Sequence, residues 1–347
     1  MAGLVTAARL REQGREPLVL EKGTRAGGSM LLSSCVIWRH RSLEDFRVAC
    51  PDGDHALQEL VWSRLDDGLA WLESLGAPVV ARETGNALTT GLRFDPFGLA
   101  RTLVAAAGGL RGSEPQGTIR LGSPLGDPEG ELVLATGGFG VRFARERGLP
   151  LRAAPWSDGG GIALGRARGA ALSAGQDEFY GRAMPATPPA VWGEADFVRA
   201  AQLYGRWGTL EDDDGNELFA GRPAWHENDL VQALAQVPSA WLVVDDRHLG
   251  EGVRERTVGA IVTVAEELGA DVRRGGGTTA VRVAAGVTHT LGGLRVDTKA
   301  RVLDEAGRPL PRLHAAGADA GGIFAGGYGS GLAAALVLGL AAADDLG

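Results

Sequence analysis

The chain has 347 residues, of which 44% are hydrophobic and 22% charged, and its formal net charge is -8. This length suits about two domains with a large buried core, and the negative charge without a basic stripe argues against a nucleic-acid-binding protein. The two cysteines, Cys35 and Cys50, exclude a disulfide framework and favour a reducing, cytoplasmic compartment.

The first elements form half of a nucleotide-binding unit. Residues 4–13 have apolar side chains at helical spacing, and the run PLVLE at 17–21 is typical of a parallel strand buried on both faces. In a GxGxxG fingerprint, Gly3 would be the third glycine and Glu21 the acid that binds ribose hydroxyls. Taken alone, these residues fit equally well an ordinary helix–strand pair that ends in a glutamate.

The front half of this fingerprint, its first strand and first two glycines, would precede Met1. Two accounts are open. Met1 is an internal residue of a longer natural chain, or the chain is truncated and binds its nucleotide cofactor poorly or not at all. Loss of a central strand leaves buried backbone amides without partners, which is costly. We therefore expect the first account.

Further along, strands and helices alternate, which predicts an α/β fold with a parallel sheet. From about residue 175 aromatic side chains gather, and a helix (ENDLVQALAQ), a strand (AWLVVDD) and another helix (RERTVGAIVTVAEELG) follow. We interpret this stretch as an inserted domain. The predicted division is 1–174 for the first part of a nucleotide-binding domain, 175–284 for a cap or substrate domain, and 285–347 for the second part.

Glycine turns follow several predicted strands, in EKGTRAGGS, LVLATGGFG and LHAAGADAGG. Exposed backbone amides and helix N-termini attract phosphate groups and electron-rich ring oxygens. The turns therefore predict a groove for a large nucleotide. No group of His, Cys and carboxylate residues has the spacing of a metal site, and the apolar GLAAALVLGLAAA is too short to span a bilayer.

Together these motifs resemble the flavoprotein family of fumarate reductases, succinate dehydrogenase flavoprotein subunits and 3-ketosteroid dehydrogenases. MAGL, VLEKG and GGS are similar to the family's N-terminal pattern, ATGGF to its middle strand, and HTLGGLRVDTKARVLDEAGRPLPRLHAAGADAGG to its C-terminal part. The resemblance implies FAD bound by a Rossmann-like domain, here truncated at its N-terminus, with an inserted α+β cap. It also implies hydride transfer between flavin N5 and a carbon beside an activated C–C bond.

The resemblance also implies which residues contact FAD. Gly3 and Glu21 would serve the pyrophosphate and the adenosine ribose, and Asp319 would hold the ribityl or pyrophosphate region. Gly331 and Leu332 would offer backbone amides to the pyrimidine edge of the flavin. The other implied cofactor-binding residues are Lys22, Gly27, Gly28, Ser29, Ala135, Thr136, Gly137, Asp158, Gly159 and Gly317.

Four residues are candidates for the chemistry. His289 in VTHTLGG is similar to a histidine that contacts a substrate carboxylate in fumarate reductases; the alternative is a strand-end histidine satisfied by backbone. Tyr328 in FAGGYGSGL matches a tyrosine that assists proton removal beside a ketone in 3-ketosteroid dehydrogenases, where fumarate reductases have an arginine; the alternative is a tyrosine packed under the flavin ring. Tyr180 and Arg182 are the other two candidates; Arg182, like Arg206, would bind an anionic substrate bidentately, or would be a surface arginine in a loop.

The sequence thus predicts an FAD-dependent oxidoreductase that acts on CH–CH donors beside a carbonyl or carboxylate, as 3-ketosteroid dehydrogenases do. A fumarate-reductase-like enoate reductase and a truncated, non-catalytic remnant stay as alternatives. The expected partners are a small-molecule substrate and an electron acceptor or donor, with no nucleic acid, no metal and no membrane span. Substrate, direction, acceptor and oligomeric state are left open.

Overall fold

A computed structural model describes residues 1–112, 117–126, 128–186 and 192–347. The chain forms two compact units. The first comprises 1–142, 154–178 and 289–347, and the second comprises 143–153 and 179–288. The domain boundaries predicted from the sequence lie after 174 and 284, whereas the chain passes between the units after 178 and 288 and also contributes 143–153 to the second unit.

Helices and strands alternate along the described residues. The helices are α1 (Ala2–Glu12), α2 (Leu43–Ala49), α3 (His55–Ser74), α4 (Pro96–Ala106), α5 (Gly140–Arg147), α6 (Gly160–Ala167), α7 (Asn228–Leu234), α8 (Val258–Glu267) and α9 (Gly331–Leu346). The strands are β1 (Val19–Leu20), β2 (Val36–His40), β3 (Val79–Ala81), β4 (Thr89–Phe94), β5 (Ile119–Arg120), β6 (Leu132–Leu134), β7 (Phe179–Pro185), β8 (Gly208–Glu211), β9 (Ala240–Asp245), β10 (Gly252–Val253), β11 (Arg256–Thr257), β12 (Val272–Gly275), β13 (Thr278–Thr290), β14 (Arg301–Leu303) and β15 (Pro309–Ala315).

The first unit contains the parallel pairing that the sequence predicts. β1 is parallel to β5, with Val19 opposite Ile119, and β6 is parallel to β15, with Val133 opposite His314. β14 extends the second pair in the antiparallel sense, and β2, β4 and β3 form a separate antiparallel sheet in that order. The predicted α/β class with a Rossmann-like domain is confirmed.

One detail of the β1 prediction is wrong. Burial on both faces was expected for the apolar run at 17–21, but Leu18 and Leu20 are 53% and 43% exposed. Among the described strands, β1 pairs only with β5, so it lies at the edge of a two-stranded sheet rather than inside a larger one. An apolar strand in that position keeps part of its surface in water.

Helices α1 and α9 of the first unit pack closely on each other. α9 is buried from Ala333 to Ala343, and its small side chains let α1 approach. Thr6 Oγ1 donates to the carbonyl oxygen of Gly339 at 3.0 Å, and a Cβ on Gly339 would lie only 3.0 Å from the carbonyl oxygen of Ala2. Gly339 thus permits a backbone approach that a larger residue would block. Among the described helices, none has the length and hydropathy to cross a bilayer.

The second unit is built on an antiparallel sheet with the order β12-β13-β9-β8, and β7 also pairs with β13. The long strand β13 pairs with a strand on each side: Val281 lies opposite Leu242 of β9 and opposite Val272 of β12. Helices α7 and α8 and the β10–β11 hairpin complete the unit. The helix, strand and helix predicted for the inserted stretch are present as α7, β9 and α8.

Candidate functional site

The start of α1 lies where a dinucleotide-binding helix is expected. A Cβ on Gly3 would lie 3.4 Å from the Cβ of Ala135, just after β6, so this helix packs close to the strand end. Gly317, with a φ of 67°, meets the same helix, because a Cβ there would lie 3.1 Å from the Cβ of Ala2. Gly3, Ala135 and Gly317 are therefore neighbours, although 314 positions separate the first from the last.

Glu21, which follows β1, lies in a turn that is hydrogen-bonded to itself and to the segment around Gly122. The Glu21 carboxylate accepts a hydrogen bond from the backbone N–H of Gly23 at 2.7 Å. Its own backbone carbonyl accepts from Ser123 N, and the carbonyl of Gly23 accepts from Gly122 N. One oxygen of Glu21 thus holds its own loop, and a carboxylate has further lone pairs for a ribose hydroxyl.

Two predicted cofactor residues form an ion pair with each other. Lys22 Nζ donates to a carboxylate oxygen of Asp158, and both side chains are about half exposed. The bond from Lys22 lowers the pKa of Asp158 below its ordinary value. The pair joins the end of β1 to the turn before α6, in which Gly159 has a φ of 94°.

The glycine pair after β1 also adopts conformations that favour glycine. Gly27 and Gly28 have φ values of 121° and 56°, and a 3-10 turn follows from Gly28 to Leu32. Ser29 Oγ accepts a hydrogen bond from the backbone N–H of Ala154 at 3.0 Å. The predicted residues of this loop are thereby tied to the segment that leads into α6.

Asp319 lies at the centre of the glycine turns. Its side chain is completely buried, and its two oxygens accept from Thr136 N, from Thr136 Oγ1 at 3.0 Å and from the backbone N–H of Gly138 at 3.0 Å. Burial raises the pKa of this carboxyl, against the opposing effect of these hydrogen bonds. In the structure, both oxygens of Asp319 bind the turn after β6. Asp319 therefore shapes the cradle by holding the turn after β6, and its direct contact with the cofactor stays a prediction.

Gly161 completes this arrangement. Its backbone N–H donates to Thr136 Oγ1 at 3.3 Å. A Cβ on Gly161 would lie 2.6 Å from Thr136 Oγ1 and 2.9 Å from Asp319 Oδ2, so only glycine fits there without displacement. Thr136, Gly138, Gly161 and Asp319 thus form one hydrogen-bonded cluster that joins the turns after β6 and β15 to the first turn of α6.

The start of α9 is the second focus of the site. Ser330 caps the helix, its hydroxyl accepting from the backbone N–H of Ala333 at 3.2 Å. The N–H groups of Gly331 and Leu332, in the first turn, are not used by the helical ladder. A Cβ on Gly331 would lie 3.2 Å from Cε1 and Nε2 of His289, so the imidazole lies against this helix start.

The environment of His289 keeps its ring neutral. The side chain is partly exposed by area, but Nε2 is shut off from solvent, and burial lowers the pKa of the imidazole to about 4. At neutral pH it therefore carries one N–H and one acceptor nitrogen. Such a ring can donate to a carbonyl without bringing a full charge into the site.

Tyr328 lies in the glycine turn immediately before α9 and is half-buried. Its ring centre lies 5.6 Å from that of Trp38 in β2, at an interplanar angle of 58°. His289, Tyr328, Gly331 and Leu332 are therefore grouped around one helix start. Within the described ranges, no group of three or more His, Cys, Asp and Glu side chains is arranged to hold a metal ion.

Tyr180 and Arg182 lie in β7 of the second unit, 7% and 5% exposed. Arg182 Nη1 donates to the backbone carbonyl of His226 at 2.5 Å, and its guanidinium carbon lies 4.9 Å from the centre of the Tyr180 ring. The surface-loop alternative for Arg182 is therefore wrong. Arg182 is buried beside Tyr180 and His226, and these residues together with Glu227 form a polar cluster of the second unit.

Glu227 belongs to the same cluster and was not singled out from the sequence. It is 6% exposed, has a left-handed φ of 55°, and accepts backbone N–H groups of Gly205 and Arg206. Burial raises its pKa to about 7, although the charge of Arg182 acts in the opposite direction. The hydroxyl of fully buried Tyr204 has no hydrogen-bond partner, and burial raises the pKa of this phenol too.

Sequence reasoning also missed two aromatic residues beside the predicted cofactor residues. Trp156 packs on the turn after β1, since a Cβ on Gly23 would lie 2.0 Å from its Nε1. Trp38 packs against Tyr328. The only local signal for Trp156 is its place two residues before Asp158, and Trp38 stands in an unremarkable strand, so both became visible only through contacts distant in sequence.

The residues of the first unit fit FAD. Gly3 allows the close helix–strand packing that the third glycine of a dinucleotide fingerprint provides, and Glu21 stands at a strand end 18 positions later. Lys22 supplies a half-exposed cation, and the first turn of α9 supplies amides and the positive end of a helix dipole. Gly3, Glu21 and Lys22 thus suit the nucleotide end of FAD, and the first turn of α9 suits its electron-rich flavin ring.

Comparison with known proteins agrees with this fit. The sequence model of the FAD binding domain family matches residues 128–332, and that of the NAD(P)-binding Rossmann-like domain matches residues 1–35. The first match includes the turns after β6 and β15 and the start of α9, and the second includes Gly3, Glu21 and the glycine pair after β1.

Solved structures with the same fold cover nearly all of the chain. The open form of a flavocytochrome c3 fumarate reductase is 20% identical with a TM-score of 0.68, covering 99% of this chain and 76% of the other. The 3-ketosteroid Δ4-(5α)-dehydrogenase of Rhodococcus jostii RHA1 in complex with 4-androstene-3,17-dione is 18% identical with a TM-score of 0.68 (99% and 94%). The 3-ketosteroid Δ1-dehydrogenase of Sterolibacterium denitrificans with 1,4-androstadiene-3,17-dione is 14% identical with a TM-score of 0.67 (99% and 97%).

Proposed function

Because the chain belongs to the FAD binding domain family, we propose that it is an FAD-dependent oxidoreductase that acts on a CH–CH bond beside a carbonyl, in the manner of a 3-ketosteroid dehydrogenase. One observation carries the proposal. A neutral histidine, His289, lies against the first residue of α9, and Tyr328 stands three positions earlier in the same turn. This is a carbonyl-polarising group and a proton-transferring group at one helix start.

FAD, when bound, supplies the acceptor or donor for two electrons transferred as hydride. Lys22, Glu21 and the glycine turns would hold its nucleotide end, and the amides of Gly331 and Leu332 its pyrimidine edge. His289 then donates its N–H to the substrate carbonyl oxygen, which makes the hydrogens on the neighbouring carbon more acidic.

Tyr328 Oη exchanges the proton. In the oxidative direction it takes the proton from the carbon next to the carbonyl, and the electron pair of that C–H bond forms the new C=C bond. The adjacent carbon would give up its hydrogen as hydride together with the C–H electron pair, and bound FAD would accept it. The positive end of α9 favours the anionic form of an oxygen held near it, which suits Tyr328 to act as the base.

A fumarate-reductase-like reduction of an enoate is the second candidate, supported by the fold match to a flavocytochrome c3 fumarate reductase and by His289. Position 328 weighs against it, because a tyrosine stands where the resemblance implies an arginine. A neutral phenol is a weaker partner for a carboxylate than a guanidinium is.

The proposal is tested with the purified protein saturated with FAD, whose oxidised form absorbs near about 370 and 450 nm. Anaerobic mixing with 4-androstene-3,17-dione is expected to bleach the 450 nm band. Reoxidation of the dithionite-reduced protein by fumarate, without bleaching by the ketone, would favour the second candidate. A preparation that stays colourless after incubation with FAD would contradict both and favour a remnant without catalysis.

Replacing Tyr328 with Phe is expected to slow the bleaching by about 100-fold, because the proton-transferring oxygen is removed. The rate is measured by stopped-flow absorbance at equal flavin content. Tyr204→Phe is the matched control, since it also removes one phenol oxygen, but a buried one without a hydrogen-bond partner. Equal rates for Tyr328→Phe and the unaltered protein would exclude Tyr328 as the base.

A further inference from the structure

The backbone of Tyr328 is held from two sides. Its carbonyl oxygen accepts a hydrogen bond from the imidazole of His40, at the end of β2. Its N–H donates to the sulfur of Cys50, directly after α2. Both neighbours are almost completely buried, at 3% and 0% exposure, so these bonds are shielded from competition by water. The peptide units on either side of Tyr328 are thereby fixed.

The turn that carries Tyr328 has no room to shift toward α2. A Cβ on Gly327 would lie 1.7 Å from the carbonyl oxygen of Ala49, an impossible distance for any other residue. On the opposite side, the backbone N–H of Gly326 donates to the carboxylate of Glu178 at 2.7 Å. The turn is therefore seated against the end of α2 at backbone contact.

β2 adds contacts to the side chain and to the helix cap that follows it. The ring of Trp38 lies 5.6 Å from that of Tyr328, and the backbone N–H of Trp38 donates to Ser330 Oγ at 3.4 Å. The same hydroxyl caps α9. β2 thus touches the chain at 328 and at 330, on both sides of Gly329.

His40 is itself locked by aromatic packing. Its ring lies edge-on to Trp38, with centres 5.4 Å apart, and stacks on Phe46 of α2 at 5.5 Å. Phe46 in turn lies 5.8 Å from Phe324, at the beginning of the Tyr328 turn. A ring held between two others has little freedom to turn its N–H away from the carbonyl of Tyr328.

We propose that His40 and Trp38 are positioning residues that aim the Tyr328 hydroxyl at the flavin site. The inference rests on the proposed role of Tyr328, and it adds that this role depends on β2 and α2, which the sequence assigned to no function. A misplacement of about 1 Å at a reacting group costs up to about 100-fold in rate. Removal of the His40 imidazole, which fixes the backbone of Tyr328, is therefore expected to lower the rate by more than the loss of one hydrogen bond alone would.

The test uses time-resolved flavin fluorescence of the FAD-loaded protein, which needs no substrate. A phenol close to a flavin quenches its emission by electron transfer, and the rate falls steeply with distance. Tyr328→Phe defines the decay without this quencher. His40→Phe keeps the stacked ring but removes the N–H, and is expected to lose most of the fast component. His40→Asn keeps a donor and is expected to retain it.

Two further variants protect the test. His40→Leu provides a second donor-free side chain in case His40→Phe fails to retain flavin, and His55→Leu, at an exposed position, is the control for a histidine replaced elsewhere. A wild-type decay in the flavin-loaded donor-free variants, together with a changed decay in Tyr328→Phe, overturns this inference and leaves the proposed function standing. An unchanged decay in Tyr328→Phe overturns the role of Tyr328 and this inference with it.

Discussion

Replacing Asp319 with Ala is expected to lower the free energy of unfolding of the first unit by about 4 kcal/mol and to abolish FAD retention. The variant removes the acceptor for three donors: Thr136 N, Thr136 Oγ1 and Gly138 N. Each donor left buried without a partner costs about 1–3 kcal/mol. A domain with a total stability of about 5–15 kcal/mol is strongly affected by such a loss.

The size of the destabilisation depends on which residue replaces Asp319. Asp319→Asn keeps one oxygen, which can serve two of the donors, but turns an NH₂ group toward the third. We therefore expect a destabilisation between those of the unaltered protein and of Asp319→Ala. Urea unfolding with and without FAD measures both variants, and Glu305→Ala, at an exposed position of the same unit, is the control. A change below about 1 kcal/mol in Asp319→Ala would show that the turn after β6 is held by other contacts.

The second large effect is the pH dependence that Glu227 is expected to give to the free energy of unfolding. Its pKa is about 7 in the folded protein and 4.5 in its ordinary state. Below pH 4.5 the carboxyl is protonated in both states and favours neither. As pH rises from 4.5 to 7 the unfolded chain loses this proton first, so unfolding becomes easier, and above pH 7 the full penalty is present. The difference corresponds to about 3 kcal/mol.

Glu227→Gln is therefore expected to remove a pH-dependent loss of stability. The free energy of unfolding of the unaltered protein should fall by about 3 kcal/mol more than that of the variant between pH 4.5 and pH 8.5. Urea titrations at several pH values, followed by tryptophan fluorescence and circular dichroism, measure the two slopes. Glu217→Gln, at an exposed position of the same unit, should behave like the unaltered protein. Parallel pH profiles for Glu227→Gln and the unaltered protein would contradict the prediction.

The sequence was sufficient for the fold class and for FAD, because both depend on local patterns. A glycine after a strand reports a backbone conformation, and Gly27, Gly137 and Gly159 have the positive φ values that only glycine adopts freely. The helix at 331–346 follows from its small, apolar composition and its glycine-rich entry. Such features are encoded within a few residues of where they act.

Hydrogen bonds and ion pairs between residues far apart in the sequence could not be predicted from such local patterns. Asp319 was expected to hold the cofactor, and nothing local indicated that its oxygens would also accept hydrogen bonds from residues more than 180 positions earlier in the chain. Lys22 and Asp158 were each expected to bind FAD, and nothing local indicated that they would bind one another. Glu227 resembles any glutamate near a helix start until its burial beside Arg182 is known. Partner choice among polar groups depends on tertiary structure.

The contact between α1 and α9 also has a consequence for biosynthesis. Thr6 bonds to the carbonyl of Gly339, so the apolar side of the earliest helix finds its partner only after more than 300 further residues have been made. At about 5–20 residues per second, the ribosome needs roughly 20–60 s for that stretch. During this interval the surface of α1 that packs on α9 is without that partner. A premature stop upstream of residue 331 would release a polypeptide in which the surface of α1 that packs on α9 stays exposed and prone to aggregation.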